Sequence, residues 1–323
     1  MVWFMAALGL VILLFAGDAL VKGAVNLALR VGIPALIVSL SIVAFGTSAP
    51  ELLISVQAAM MGVPGIAMGN VVGSNTANIL LVLGIPALIA VMHTSEHDTR
   101  KSYVVMIAAS VLFIALAFRG VFDWIAALIL LAALVLALGD MFREALAHRN
   151  GTLTPQAAGL EDLDDVEGAD PDMRWWKIIM FLVLGLIGLP LGADILVDSA
   201  TVIARTFGIS ETVIGLTLVA VGTSMPELAT TVMAAIRRQA DVALGNVIGS
   251  NLFNLLAIIG VAGLVAPIPV DPALLSFDLW VMLAASILLI PFVFMRQNIG
   301  RVWGITLTLL YVAYVLTVLF LKN

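Results

Sequence analysis

The sequence predicts an all-α polytopic membrane protein with ten transmembrane helices in two inverted five-helix repeats. Three observations carry that expectation. Of 323 residues, 62 % are hydrophobic and 11 % charged, and the mean hydropathy is +1.16, a composition of membrane-spanning chains and not of soluble domains. Ten apolar runs approach the ~20 residues needed to cross ~30 Å of hydrocarbon. The third and strongest observation is a polar motif pair written twice: GTSAPE (Gly46–Glu51) with GNVVGSN (Gly69–Asn75), then GTSMPE (Gly222–Glu227) with GNVIGSN (Gly245–Asn251).

The apolar runs lie at roughly 2–21, 33–60, 65–91, 102–118, 121–141, 175–197, 211–236, 241–265, 277–295 and 300–320. The first, MVWFMAALGLVILLFAG, has no basic n-region and reads as a retained span, not a signal peptide. Short breaks rich in Gly, Pro and charge separate the runs. One long connection, residues 143–174, divides a first repeat (1–142) from a second (175–323). Aligned without a gap, Ala44–Gly84 and Ala220–Gly260 share 20 identities in 41 positions at an offset of 176. That is an internal duplication. With an odd number of spans per copy, the second copy inserts upside down, the plan of transporters that hold their substrate at the midplane between repeats.

Orientation follows from Lys and Arg. With the N-terminus outside, inner segments carry twelve basic residues, and only Arg119, Arg205 and Lys322 remain on the outer side. The expected placement is the cell's inner (plasma) membrane, both termini outside and the linker cytoplasmic. Glu161–Asp172 holds seven acidic residues in twelve. It lacks the ligand order of a calcium-binding loop and reads as a solvated tether. Asp18 is expected to pair with Lys22 one turn on. His93-Thr-Ser-Glu96-His97 matches a zinc-protease pattern, but it sits in a short inner loop and reads as coincidence. The chain has no cysteine, so no disulfide, thiolate metal site or thiol nucleophile is available.

A carboxylate in mid-membrane normally lines a cavity or path. Glu51 and Glu227 are the acidic residues placed well inside spans. Ala44, Thr47, Ser48 and Glu51 fall at i, i+3, i+4, i+7 on one helical face, and Ala220, Thr223, Ser224 and Glu227 repeat it. On each following helix Ser74 and Asn78, or Ser250 and Asn254, stand one turn apart. Pro50 and Pro226 remove an N–H and open the helix near Gly46 and Gly222, and carbonyls so freed need a partner within the membrane. Gly69/Gly73 and Gly245/Gly249 allow close helix approach. A cage of carboxylate, hydroxyl, amide and carbonyl oxygens favours hard cations, and its flexible mixture suits Ca²⁺ over Mg²⁺. Two carboxylates are balanced by one divalent ion or by monovalent ions, and competition for the same pair is a physical route to antiport.

These paired motifs resemble the two α-repeats of the sodium/calcium exchangers, within the cation/Ca²⁺ exchanger superfamily, over essentially the whole chain. The resemblance implies that Glu51 and Glu227 are central ligands shared by Ca²⁺ and Na⁺, that Thr47 and Thr223 offer backbone carbonyls to Ca²⁺, and that Asn78 and Asn254 face the central position. It further implies one flanking sodium site from Ser48, Ser74 and the Ala44 carbonyl, and another from Ser224, Ser250 and the Ala220 carbonyl. The first and sixth spans would be the gating pair, with Lys22–Gly32 and Asp198–Gly208 as hinges. Asn254 stands where several relatives, potassium-dependent exchangers among them, have Asp, and this predicts K⁺-independent exchange. Competing readings are an H⁺/Ca²⁺ antiporter, whose branch usually shows a different Gly-Asn-x-x-Glu signature, and a passive cation channel. Enzyme activity, a cofactor and a nucleic-acid partner are not expected. Because one chain holds a complete site, a functional monomer surrounded by membrane lipid is the expected state.

Overall fold

The computed structural model describes residues 1–93, 99–149, 170, 172–207 and 220–321. Five apolar runs become long helices, α1 (Val2–Val31), α4 (Arg100–Ala117), α5 (Trp124–Arg149), α6 (Trp175–Thr206, continuing through Pro190) and α10 (Arg301–Leu321). The runs carrying the duplicated motifs are less regular. Helix α2 has two arms, Ala35–Thr47 and Ala49–Met60, bent by 45°. After it come α3 (Pro64–Ile89), α7 (Met225–Ile236), α8 (Ala240–Val265) and α9 (Leu274–Phe294). Among the described residues eight helices are long and apolar enough to cross a membrane, or nine if the bent pair is one span. Helix α7 is shorter, and part of the expected seventh span, 211–219, lies outside the described residues.

Several boundaries differ from the sequence expectation. Helix α1 runs unbroken through Lys22 and stops where Gly32 adopts φ 74°, its N–H bonding the Ala28 carbonyl. The expected hinge Lys22–Gly32 is therefore helix over nearly all its length, and only Gly32, free of a Cβ, makes the turn. Helix α6 likewise continues through Asp198 to Thr206, while Gly208 lies outside the described residues. Helix α5 runs to Arg149, past the point where the linker was expected to begin, because Met141–His148 contains no helix breaker. Val121–Phe122, expected in a span, instead form β1, paired antiparallel with β2, Ile268–Pro269. Just beyond β1 the Asp123 carboxylate accepts from the Ala126 N–H at 2.9 Å and from Arg119 at 3.0 Å. The backbone donor first, and then the guanidinium, hold its pKa below the ordinary carboxylate value.

Burial sorts the helices into a centre and a rim. Within their most apolar windows α8 is 89 % and α3 78 % buried, against 22 % for α5 and 17 % for α10. Rim helices turn large apolar side chains such as Phe15, Leu136 and Val302 outward, as a lipid-facing surface requires. The two helices that carry Ser74, Asn78, Ser250 and Asn254 are thus the molecule's axis.

Small residues set the closest approaches. A Cβ on Gly185 of α6 would lie 2.5 Å from Leu20 Cβ, and one on Gly9 of α1 would lie 2.7 Å from the Leu196 nitrogen. Helices α1 and α6 therefore touch along their backbones. In α8, a Cβ on Gly249 would lie 2.5 Å from the Leu40 carbonyl and 2.6 Å from Ala44 Cβ. The close approach expected of Gly245/Gly249 is thus realised against the first arm of α2. For Gly69 and Gly73 no described atom lies within 4 Å of such a Cβ.

Asp18 pairs with Lys22 at 3.3 Å, as expected, and also with Arg237 just beyond α7. The second contact ties α1 to the central helices and was not anticipated. His93 meets Asn298, while Glu96 and His97 lie outside the described residues. So does most of the acidic segment. From it, the Asp170 N–H donates to Asn26 Oδ1 of α1 at 2.8 Å.

Candidate functional site

The site forms where two helices break. Ser48 (φ −87°, ψ 3°) ends the first arm of α2, and Pro50 opens the second, where its missing N–H is harmless. Ser224 (φ −88°, ψ 7°) and Pro226 repeat this at the start of α7. Glu51 and Glu227 fall in the first turns of the new helices, where unbonded N–H groups and the helix dipole favour a carboxylate. The single helical face expected across Ala44–Glu51 is therefore a bent one, because proline terminates one helix and starts another in place of opening a continuous one.

Both glutamates are 0 % exposed. Ser48 Oγ donates to Glu227 Oε1 at 3.2 Å, and Ser74 Oγ donates to Glu51 Oε1 at 3.4 Å. Ser74 and Ser224 share a hydrogen bond of 2.9 Å between hydroxyls. Thr47 Oγ1 lies 3.3 Å from the Ala44 carbonyl and 3.2 Å from Asn246 Oδ1, its one proton serving either acceptor, and 3.4 Å from Ser250 Oγ. The structure thus brings together Ala44, Thr47, Ser48, Glu51, Ser74, Ser224, Glu227 and Ser250. Thr223 is half-buried in the break before α7, next to the short turn Ala220–Gly222.

Hydrogen bonds link the flanking residues across the two copies: Ser74 joins Glu51 and Ser224, Ser48 joins Glu227, and Ala44 and Ser250 both meet Thr47. Each cluster mixes both copies of the motif, because the break in α2 meets α7 and α8 as well as its own continuation α3.

The remaining polar atoms give the site its chemistry. Asn78 Nδ2 donates to Asn251 Oδ1 at 3.0 Å, which leaves Asn78 Oδ1 without a donor. Asn254 is 1 % exposed, and neither of its amide atoms has a partner among the described residues. Glu51 Oε2 and Glu227 Oε2 are in the same condition. A buried, unsatisfied polar atom costs about 1–3 kcal/mol. The unsatisfied oxygens among these atoms are acceptors that a desolvated cation relieves and an apolar group does not.

Sequence reasoning missed the groups that hold this cluster in place. Asn70 Nδ2 donates to the Glu51 carbonyl at 3.2 Å and to Ser55 at 3.0 Å, and Asn246 Nδ2 donates to the Glu227 carbonyl at 3.3 Å and to Thr231 at 3.2 Å. Both asparagines stand second in the GN motifs. A mid-span amide repeated in both copies was the available signal.

Fold and centre together define a helical membrane protein built around a buried cluster of hard oxygen atoms. The chain belongs to the sodium/calcium exchanger family: the model described as "Sodium/calcium exchanger protein" matches residues 1–141 and 177–320. It is 34 % identical to the sodium/calcium exchanger MaX1 of Methanosarcina acetivorans, covering 97 % of each chain. It is 36 % identical over 95 % of each chain to the putative antiporter CaxA of Alkalimonas amylolytica. Among solved structures, the sodium-calcium exchanger NCX_Mj superposes with a TM-score of 0.81 at 31 % identity, covering 97 % of each chain.

Proposed function

We propose that this chain exchanges Na⁺ for Ca²⁺ across the membrane by alternating access, at a single midplane site shared by both ions. The observation that carries the reading is the pair Glu51 and Glu227, both fully buried, each with one oxygen unsatisfied inside a cluster of hydroxyls and amides. Two negative charges match one Ca²⁺ or several Na⁺. Loading one ion then discharges the site for the other, which couples the fluxes. In this reading Thr47 and Thr223 contribute carbonyls beside Ca²⁺, and Asn78 and Asn254 face the centre. Ser48 and Ser250 stand on the Glu227 side and Ser74 and Ser224 on the Glu51 side, and the Ala44 and Ala220 carbonyls complete the two sodium positions.

Ten spans in two inverted repeats complete the proposal. The mirrored bonds of Asn70 and Asn246 support it, since residues 176 apart make equivalent contacts. The pairing of Met92 with Ile299 is a near counterpart of the pairing of Ile268 with Phe122. The backbone contact of α1 with α6 supports their moving as one gate across the central helices. The Lys/Arg distribution supports an orientation with both termini outside and the acidic linker in the cytoplasm. Oxygen ligands from both copies within one chain support function as a monomer.

The test is radiolabelled Ca²⁺ uptake into proteoliposomes under Na⁺ or pH gradients in turn. Uptake is expected with the Na⁺ gradient alone, and a pH gradient that substitutes for it would overturn the assignment of the coupling ion. Asn254 adds no charge to the site, so omission of external K⁺ is expected to leave the rate unchanged. A rate that collapses without K⁺ would contradict that.

A further inference from the structure

We propose that Asn75 and Asn251 are positioning residues that turn the amide oxygens of Asn78 and Asn254 toward the transported cation. This rests on the reading above that Asn78 and Asn254 are ion ligands. An amide is an ambiguous ligand: its oxygen attracts a cation, while its NH₂ repels one. A site that uses asparagine therefore needs something to choose the face.

Asn75 and Asn251 are equivalent positions of the two motifs, and they grip each other's backbone. Asn75 Nδ2 donates to the Asn251 carbonyl at 3.3 Å, and Asn251 Nδ2 donates to the Asn75 carbonyl at 3.4 Å. A carbonyl only accepts, so each side chain must present its NH₂ inward and its Oδ1 outward. Asn251 Oδ1 then accepts from Asn78 Nδ2 at 3.0 Å. That bond uses Asn78 Nδ2 and leaves Asn78 Oδ1, buried and without a protein donor, as the amide atom free to meet a cation. The orientation of Asn78 is thus dictated through the Asn251 side chain by the Asn75 backbone carbonyl.

The matching bond on the other side would run from Asn254 Nδ2 to Asn75 Oδ1. Both of those atoms are buried and without a partner among the described residues. The backbone differs at this point: Asn78 sits in regular helix (Pro64–Leu80), whereas Asn254 lies in a π-helical turn (Phe253–Ile258). Such a turn rotates side chains away from α-helical register and recurs at functional sites. One half of the lock is closed and the other open. A cation drawn to Asn254 Oδ1 would bring Nδ2 onto Asn75 and close it. Asn254 is then the ligand that moves on ion binding, and Asn75 is its catch.

The decisive experiment uses the fact that a carboxylate at 254 has two equivalent oxygens and needs no catch. The Ca²⁺ KM of Na⁺-driven uptake is measured for Asn75→Ala and Asn251→Ala, each alone and combined with Asn254→Asp. Loss of a group that orients a ligand weakens metal affinity ~10-fold or more, so Asn75→Ala is expected to raise KM by about that factor. In the Asn254→Asp background the same change is expected to alter KM by less than about twofold, while the Asn251→Ala effect persists. A wild-type KM in Asn75→Ala, or an equal factor in both backgrounds, overturns the proposal. If Asn75→Ala does not fold, Asn75→Leu, close to asparagine in shape and without the acceptor, replaces it in both backgrounds with the same expected factors, and an equal factor in both overturns the proposal. Asn254→Ala separates the two levels of the argument. An unchanged KM there removes Asn254 as a ligand, whereas a raised KM with a neutral Asn75→Ala removes only the catch.

Discussion

Glu51→Gln and Glu227→Gln are each expected to abolish Na⁺-driven Ca²⁺ flux in proteoliposomes while the purified protein keeps its monodisperse elution. Glutamine preserves shape and one acceptor oxygen but removes half the charge that balances Ca²⁺. Deleting one partner of a buried charge interaction costs ~3–5 kcal/mol, about 100-fold or more in affinity. Both carboxylates are fully buried, so water cannot make up the loss. The two variants should be equally severe, because each glutamate has one oxygen bonded by serine and one without a partner among the described residues. Full activity in either variant would remove that glutamate from the site.

The largest structural effect is expected at Gly249. A Cβ there meets the Leu40 carbonyl at 2.5 Å and Ala44 Cβ at 2.6 Å, so Gly249→Leu must push α8 away from the first arm of α2. Neither obstacle is the end of a flexible side chain, and overpacking of this kind costs ~1–3 kcal/mol or more. The expected result in detergent is a Tm lower by on the order of 5 °C, with transport lost because the arm carrying the Ala44 carbonyl is displaced. Gly139→Leu is the control, since no described atom lies within 4 Å of its Cβ position, and its Tm should stay near wild type. Equal Tm values for the two variants would show that α8 and α2 have room to separate.

Much of this was legible before any coordinates, and the reasons are physical. Glu51 and Glu227 stood out because a carboxylate in an apolar run is costly, and because the same neighbours occur around both. Gly245 and Gly249 were readable as close-approach positions because the absence of a side chain is itself the signal. Partner choice was not readable. That Ser48 reaches Glu227, while Ser74 reaches Glu51 and Ser224, depends on how a 45° break aims one copy at the other. Helical spacing along one chain cannot encode that. The π-helical turn at Phe253–Ile258 and the contact of Asp18 with Arg237 depend on tertiary packing in the same way. The long α1 and α6 show a simpler miss: charged residues near a membrane surface look like loop, yet they extend a helix at little cost where their side chains reach water.

The central claim is that one pair of carboxylates serves both ions in turn. The direct measurement is equilibrium binding of radiolabelled Ca²⁺ to the purified protein across a titration of Na⁺. Bound Ca²⁺ is predicted to fall to background as Na⁺ rises, steeply because several Na⁺ replace one Ca²⁺, with the apparent Ca²⁺ Kd increasing and the number of sites constant. Ca²⁺ that stays bound at saturating Na⁺ would place the two ions at separate sites and contradict the account.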